Sequence, residues 1–298
     1  MSPNKLSPIV LFVYNRPEHT RRTVESLLSN TLASNSTLFI FSDGGKNDDD
    51  EKKVNDVRDF IKTIKGFDKI EIIEREKNLG LANSVIVGVN EVISLSGKAI
   101  VLEDDMISSP YFLKYMNEVL NYFEDDQRIF SVTGYTFPIK IPAYYKSSVY
   151  LAPRASSWGW GTWKNRWDKV DWEISDYRSF IKEKASIREF NKGGDDLTRM
   201  LTNSISGKID SWAVRWSYAH FKNKAYCVYP VKSRIQNIGA DWTGVHTMKT
   251  KKYDVELELE DIVLSGLEDL KPDEQIVRNF KKFFRKNIFS AALARISK

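Results

Sequence analysis

The sequence predicts an α/β protein: a mostly parallel sheet flanked by helices on both faces, followed by a C-terminal helical extension. Two observations carry this expectation. Strand-like and helix-like patterns alternate four times between residues 8 and 102, and the strand-like runs are continuously apolar rather than alternating, as in strands buried on both faces. A length of 298 residues with 42% hydrophobic content is enough to bury one substantial core.

In chain order, residues 8–14 form a first buried run, and Asn15-Arg-Pro-Glu leads into a helix with Pro17 in its first turn and Val24, Leu27 and Leu28 facing inward. A second strand at 37–42 ends in Asp43-Gly44-Gly45. A helix marked by Val54, Val57, Phe60, Ile61 and Ile64 follows, then a third strand at 69–74. Asn78-Leu-Gly80 opens a helix through Val85, Val89, Val92 and Ile93, and residues 98–102 make the fourth strand. A helix over 110–123 and a fifth strand over 129–133 come next. From 138 to 169 the regular alternation stops, and the chain reads as loop-rich and aromatic. Helical patterns return near 176–190, 195–206 and 211–222, before a strand at 225–229.

The net charge of +5 suggests nucleic-acid binding only until it is located. Residues 276–298 hold seven bases and no acid, which leaves the rest of the chain at −2 and a basic groove unsupported. A single cysteine, Cys227, excludes an internal disulfide framework or a Cys-rich zinc site. No apolar run is long enough for a signal peptide or a membrane span, so a cytoplasmic protein is expected. In the basic tail, Ile276, Val277, Phe280, Phe283, Phe284, Ile288 and Phe289 recur at helical spacing. Such a helix suits peripheral contact with the inner face of the cytoplasmic membrane through 276–298, or docking on its own domain or a second subunit.

The chemistry concentrates where the fourth strand ends in Glu103-Asp104-Asp105. Three unpaired carboxylates cannot continue a buried strand, so they sit at its mouth, the edge where open α/β sheets bind ligands. Oxygen ligands there suit a divalent cation that also grips phosphates. Asp43 and the Asn78–Gly80 turn leave neighbouring strands at the same edge, although turn chemistry alone explains both. The segment 155–163, with Trp158, Gly159, Trp160 and Trp163, has the composition of a sugar-stacking surface or of an aromatic core. Asp210 precedes Ser211-Trp212 at a helix start, where it is a natural N-cap. His246 ends a glycine-bracketed loop from Gly239.

Together these pieces resemble a nucleotide-sugar-dependent glycosyltransferase of the GT-A, Rossmann-like fold. The nearest motifs are those of the inverting N-acetylglucosaminyltransferase I type and of bacterial polysaccharide (O-antigen and capsule) transferases. The resemblance rests on Val101 to Phe112 around the acids, on Val149 to Arg154 followed by Trp158-Gly-Trp160, and on Ile209-Asp-Ser-Trp212. It implies a GT-A domain over 1–253, with a nucleotide-sugar half to about 135 and an acceptor half beyond it, and an extension over 254–298. It further implies Asp105 and His246 on Mn2+ or Mg2+, with Arg16, Asp43, Asn78, Gly80, Glu103 and Asp104 on the donor. Arg154, Trp158, Gly159 and Trp160 would meet the acceptor, and Asp210 would be the base. The implied donor is UDP-linked, UDP-GlcNAc among the candidates, and the implied acceptor a lipid-linked saccharide. Two other functions compete. A sugar-nucleotide-forming nucleotidyltransferase needs a glycine-rich loop where this chain has Asn15-Arg-Pro-Glu, and a non-catalytic carbohydrate-binding protein leaves the acids unexplained.

Overall fold

A computed structural model describes residues 6–241, 250–261 and 263–285. The first half alternates as the periodicity predicts: β1 (Ile9–Val13), α1 (Pro17–Leu28), β2 (Thr37–Ser42), α2 (Asp48–Ile61), β3 (Lys69–Glu74), α3 (Leu81–Ser96) and β4 (Lys98–Glu103). Next come β5 (Met106–Ser108), α4 (Phe112–Tyr122), β6 (Ile129–Thr133), β7 (Val149–Ala152), β8 (Trp160–Trp163), α5 (Lys164–Trp167), α6 (Tyr177–Phe180) and α7 (Lys184–Phe190). The remainder is α8 (Leu197–Ile205), α9 (Trp212–Lys222), β9 (Tyr226–Pro230), β10 (Ile235–Asn237) and α10 (Glu274–Phe283).

Eight strands form one sheet in the order β3-β2-β1-β4-β8-β6-β9-β7. Strands β3, β2, β1 and β4 are parallel, and β6 is parallel to β9, whereas β8 runs antiparallel between β4 and β6 and β7 is antiparallel to β9. The sheet is therefore mixed in the half where sequence periodicity fades. Helices cover both faces. Ile9, Leu11, Ile100 and Leu102 face the α1 and α4 side, while Val10, Val101 and Trp160 face α3 and α9. All are fully or nearly fully buried, which is why these strands read as unbroken apolar runs.

Two features of the second half differ from the sequence expectation. Residues 149–152 and 160–163, within the stretch expected to be loop, are β7 and β8. Gly161 permits β8 there, because a Cβ would stand 2.9 Å from the Ala99 carbonyl of β4. The basic tail also turns its apolar face inward: Ile276 and Phe280 are fully buried and Phe284 nearly so, with Phe280 packed on Phe137 and Tyr229 and Phe284 on Phe137. The face proposed for a membrane is thus occupied by the chain's own domain over 276–284, and residues 286–298 lie outside the described residues. No helix among the described residues is long and apolar enough to cross a membrane.

Candidate active site

The edge of the sheet where β1, β2, β3 and β4 all end gathers most of the predicted donor residues. Strand β4 stops at Glu103 and the chain turns over Asp104 and Asp105 before β5, so side-chain alternation ends with the strand. Asp105 receives two hydrogen bonds: Arg16 Nη1 donates to Oδ2 at 3.0 Å, and Asn237 Nδ2 to Oδ1 at 3.0 Å. Asp104 lies 3.8 Å from the same Arg16 Nη1 and accepts from the Tyr14 N–H at 3.4 Å, and its own carbonyl accepts from Thr23 Oγ1. The Trp212 side chain of α9 lies beside Glu103 and works to lower its pKa.

Asn237 carried no signal of its own in the sequence. It reaches Asp105 because β10 pairs antiparallel with β5, setting Asn237 opposite Met106. The close approach of that segment requires a glycine: a Cβ on Gly239 would fall 2.0 Å from Asp105 Oδ2. Beyond it, Asp241 Oδ2 lies 3.0 Å from His19 Nε2, and Asp241 Oδ1 lies 3.8 Å from Arg16 Nη2. Neither His19 nor Asp241 was anticipated. His246 lies outside the described residues.

Three carboxylates in consecutive positions face one guanidinium. Burial pushes the Glu103 carboxyl up to about 8, with repulsion from Asp105 and Asp104 added, against the pull of Arg16 and Trp212. Burial and Asp105 likewise push Asp104 up to about 7, against Arg16 and the Tyr14 N–H. The cluster thus carries more acid than its local partners neutralise, the electrostatic condition that a cation relieves. No group of three or more His, Cys, Asp or Glu among the described residues is arranged as a complete metal cage. Mg2+ and its like need none, since one or two carboxylates suffice when substrate phosphates and water supply the other ligands. Asp105, with Asp104 beside it, fits such an ion.

The exits of β2 and β3 are latched together. Both Asp43 carboxylate oxygens accept from the Leu79 N–H at 3.0 Å, and Asn78 Nδ2 donates to the Gly44 carbonyl at 2.7 Å. Burial raises the Asp43 carboxyl above the ordinary range, and the Leu79 N–H and Arg75 work against that rise. Gly80, at φ 76°, begins α3, and it also abuts Asp210: a Cβ there would stand 3.1 Å from Asp210 Oδ2.

Asp210 does not cap its own helix, whose N-cap is Ser211. Its carboxylate is exposed and instead accepts from the Ala82 N–H of α3 at 3.2 Å, at the positive end of that helix. Two residues later, at the start of α9, the Trp212 side chain lies beside Glu103.

The predicted acceptor residues separate. Trp160 has no exposed surface and packs on Trp167 and Trp212, so in this arrangement its ring is core and cannot meet a sugar. Gly159, at φ 54°, makes the turn before β8 and accepts from the Gly134 N–H at 2.7 Å. Arg154 is engaged by Asp196 through two bonds of 2.8 and 3.1 Å and lies 3.8 Å over the Phe284 ring. Trp158 is half-buried, edge-on to Tyr135 and Tyr253. Arg154 and Trp158 line a cavity of about 310 Å³ that also reaches α8, α9 and Tyr253. A more open depression of about 810 Å³, lined by Glu118, Tyr122 and residues 264–268, contains none of the candidate residues.

No curated protein matches the chain. Among solved structures, it is similar to the mannosyltransferase PcManGT from Pyrobaculum calidifontis, solved in complex with GDP-Man and Mn2+, at 12% identity and a TM-score of 0.35. That similarity covers 56% of this chain and 49% of the other, so the chain spans about half of that protein's length. The model of one family, described as glycosyl transferase family 2, matches residues 9–184, which include the whole parallel half of the sheet, Arg16, Asp43 and the acid cluster. With more than half its length matched, the chain belongs to glycosyl transferase family 2, on a mixed, mostly parallel α/β architecture.

Proposed function

We propose that this chain is a divalent-metal-dependent, inverting glycosyltransferase that moves a hexosyl unit from a nucleotide-sugar donor to a saccharide acceptor. The observation that carries the proposal is Asp210, an exposed residue whose carboxylate accepts from the Ala82 N–H just past the Asn78–Gly80 turn, at the sheet edge where the acid cluster ends β4. A donor-binding acid cluster and a solvent-accessible carboxylate are the two groups that a single displacement needs.

Asp105 and Asp104 would hold the ion, which supplies neutralisation of the departing diphosphate. Asn237 and Arg16 hold the Asp105 carboxylate from opposite oxygens. The latch of Asp43 on Leu79 and of Asn78 on Gly44 shapes the loops that would receive the nucleotide. Asp210 takes the proton of the acceptor hydroxyl as that oxygen bonds to the anomeric carbon. The electron pair of the broken glycosyl bond leaves with the nucleoside diphosphate, and one displacement inverts the centre. The UDP-linked donor and the lipid-linked acceptor of surface-polysaccharide synthesis rest on the sequence resemblance alone.

Release of nucleoside diphosphate from UDP- and GDP-sugars, with Mn2+ and with EDTA, tests the proposal. Release supported by Mn2+ and abolished by EDTA is expected. Full release in EDTA would remove the metal, and no release from any donor under either condition would remove the activity.

A further inference from the structure

The cavity of about 310 Å³ beside Trp158 is built largely from residues beyond the family-matched part of the chain. Leu197 and Met200 of α8, Ala213, Val214 and Ser217 of α9, and Tyr253 and Phe284 of the C-terminal segment all lie after residue 184. Its position follows from α9. Ala213, Val214 and Ser217 share one face of α9, and Ala213 follows Trp212, whose side chain lies beside Glu103. The cavity is therefore walled by the first turns of α9, the helix that Asp210 precedes by two residues.

Its chemistry is that of a seat for a sugar ring. Trp158, Tyr253, Phe284 and Phe137 present aromatic surface, while Ser157, Ser217 and Thr250 bring hydroxyls. Flat apolar rings beside hydroxyls match the C–H face and hydroxyl rim of a pyranose. Arg154 is the one charged residue in the lining, and its guanidinium is already spent on Asp196 and on the Phe284 ring. The volume lies at the small end of ligand pockets, about 300–1,000 Å³, which suits a single ring rather than an oligosaccharide.

We propose that this cavity is the acceptor subsite, that it takes one neutral pyranose ring, and that Phe284, delivered by α10, and Tyr253 are its specificity-determining wall. The proposal rests on the glycosyl-transfer function stated above and adds to it the acceptor class and the role of the C-terminal segment. The role of α10 follows from its docking. Phe280 and Ile276 anchor the helix in the core, and Phe284 at its end closes the cavity against Arg154 and Phe137.

Ligand-observed saturation-transfer NMR on the full chain tests it, with methyl β-glucopyranoside, methyl β-galactopyranoside, methyl β-glucuronide and hexanol as probes. Two variants report on the cavity. Ser157→Trp fills it from its half-buried rim, and Phe284→Leu removes the aromatic face while keeping an apolar side chain to hold the helix. Transfer to the ring protons of a neutral glycoside is expected, with binding about tenfold weaker in both variants. UDP and GDP affinities measured with Mn2+ should stay unchanged in those variants. Glycoside binding indifferent to both variants, no glycoside binding, binding of hexanol alone, or tighter binding of the glucuronide would each overturn the proposal. If neither nucleotide binds the wild-type chain with Mn2+, the donor side of the proposed function fails, while the glycoside results still decide what the cavity holds.

Discussion

Arg16 reaches across the mouth of β4 to place Nη1 3.0 Å from Asp105 Oδ2 and 3.8 Å from Asp104 Oδ1, so one guanidinium compensates two of three consecutive acids. Its side chain is 13% exposed, which makes the compensation costly to lose. Arg16→Ala should lower stability without metal by up to about 3 kcal/mol, the scale for stripping a partner from a largely buried ion pair. Added Mn2+ should restore more stability to the variant than to the wild type, because a bound ion stabilises the folded state by mass action. Thermal melts of both proteins with Mn2+ and with EDTA check this. Equal Mn2+ shifts would separate Arg16 from the cation site.

The pH dependence follows from Glu103 and Asp104, which titrate near about 8 and about 7 in the folded chain, above their ordinary range. The folded state then holds more protons than the unfolded state, from the ordinary carboxylate range up to those values. Stability contributed by these groups is therefore present at low pH and lost as pH rises through about 7 and about 8. With EDTA, the melting temperature should fall between about pH 5 and about pH 8.5, and Mn2+ should reduce the fall. A melting temperature that rises across that window would contradict the burial assigned to the cluster.

Asp210→Asn should retain nucleotide binding and lose about 10²–10⁴ in transfer rate, the usual contribution of a positioned base. Folding should be spared, because the amide oxygen can still accept from the Ala82 N–H that Asp210 now holds at 3.2 Å. Rate, nucleotide affinity and melting temperature of the variant separate the roles. A lower melting temperature with transfer intact would make Asp210 a cap for α3 and nothing more.

Phe280 has no exposed surface and packs on Phe137 and Tyr229, so Phe280→Ala should cost about 3–5 kcal/mol in urea unfolding. A cost below about 1 kcal/mol would mean that α10 is not held on the domain.

The parallel half of the sheet was legible because its strands are buried on both faces and so read as apolar runs, with Asp43, Asn78 and the acids marking their ends. The second half was not, for identifiable reasons. Strand β8 begins in a Gly-Trp repeat with no period, and it is held between β4 and β6 by partners distant in sequence. Asn237 meets Asp105 only through the three-residue pairing of β5 and β10, across 132 positions. Composition could not tell Trp160, sealed in the core, from Trp158 at a cavity wall. The amphipathic face of the tail was visible, but periodicity does not say what covers such a face. Asp210 reads in sequence as a cap of the helix that follows it, while the N–H it accepts from belongs to α3, 128 positions away.

The central claim is that Asp105 binds the donor diphosphate through a divalent ion. Isothermal titration of UDP and GDP into wild type and Asp105→Asn, each with Mn2+ and with EDTA, tests it most directly. The account predicts binding by wild type in Mn2+ that weakens well over about tenfold in EDTA, and equally weak binding by Asp105→Asn in both conditions. Nucleotide affinity in wild type that is the same in EDTA as in Mn2+ would contradict it.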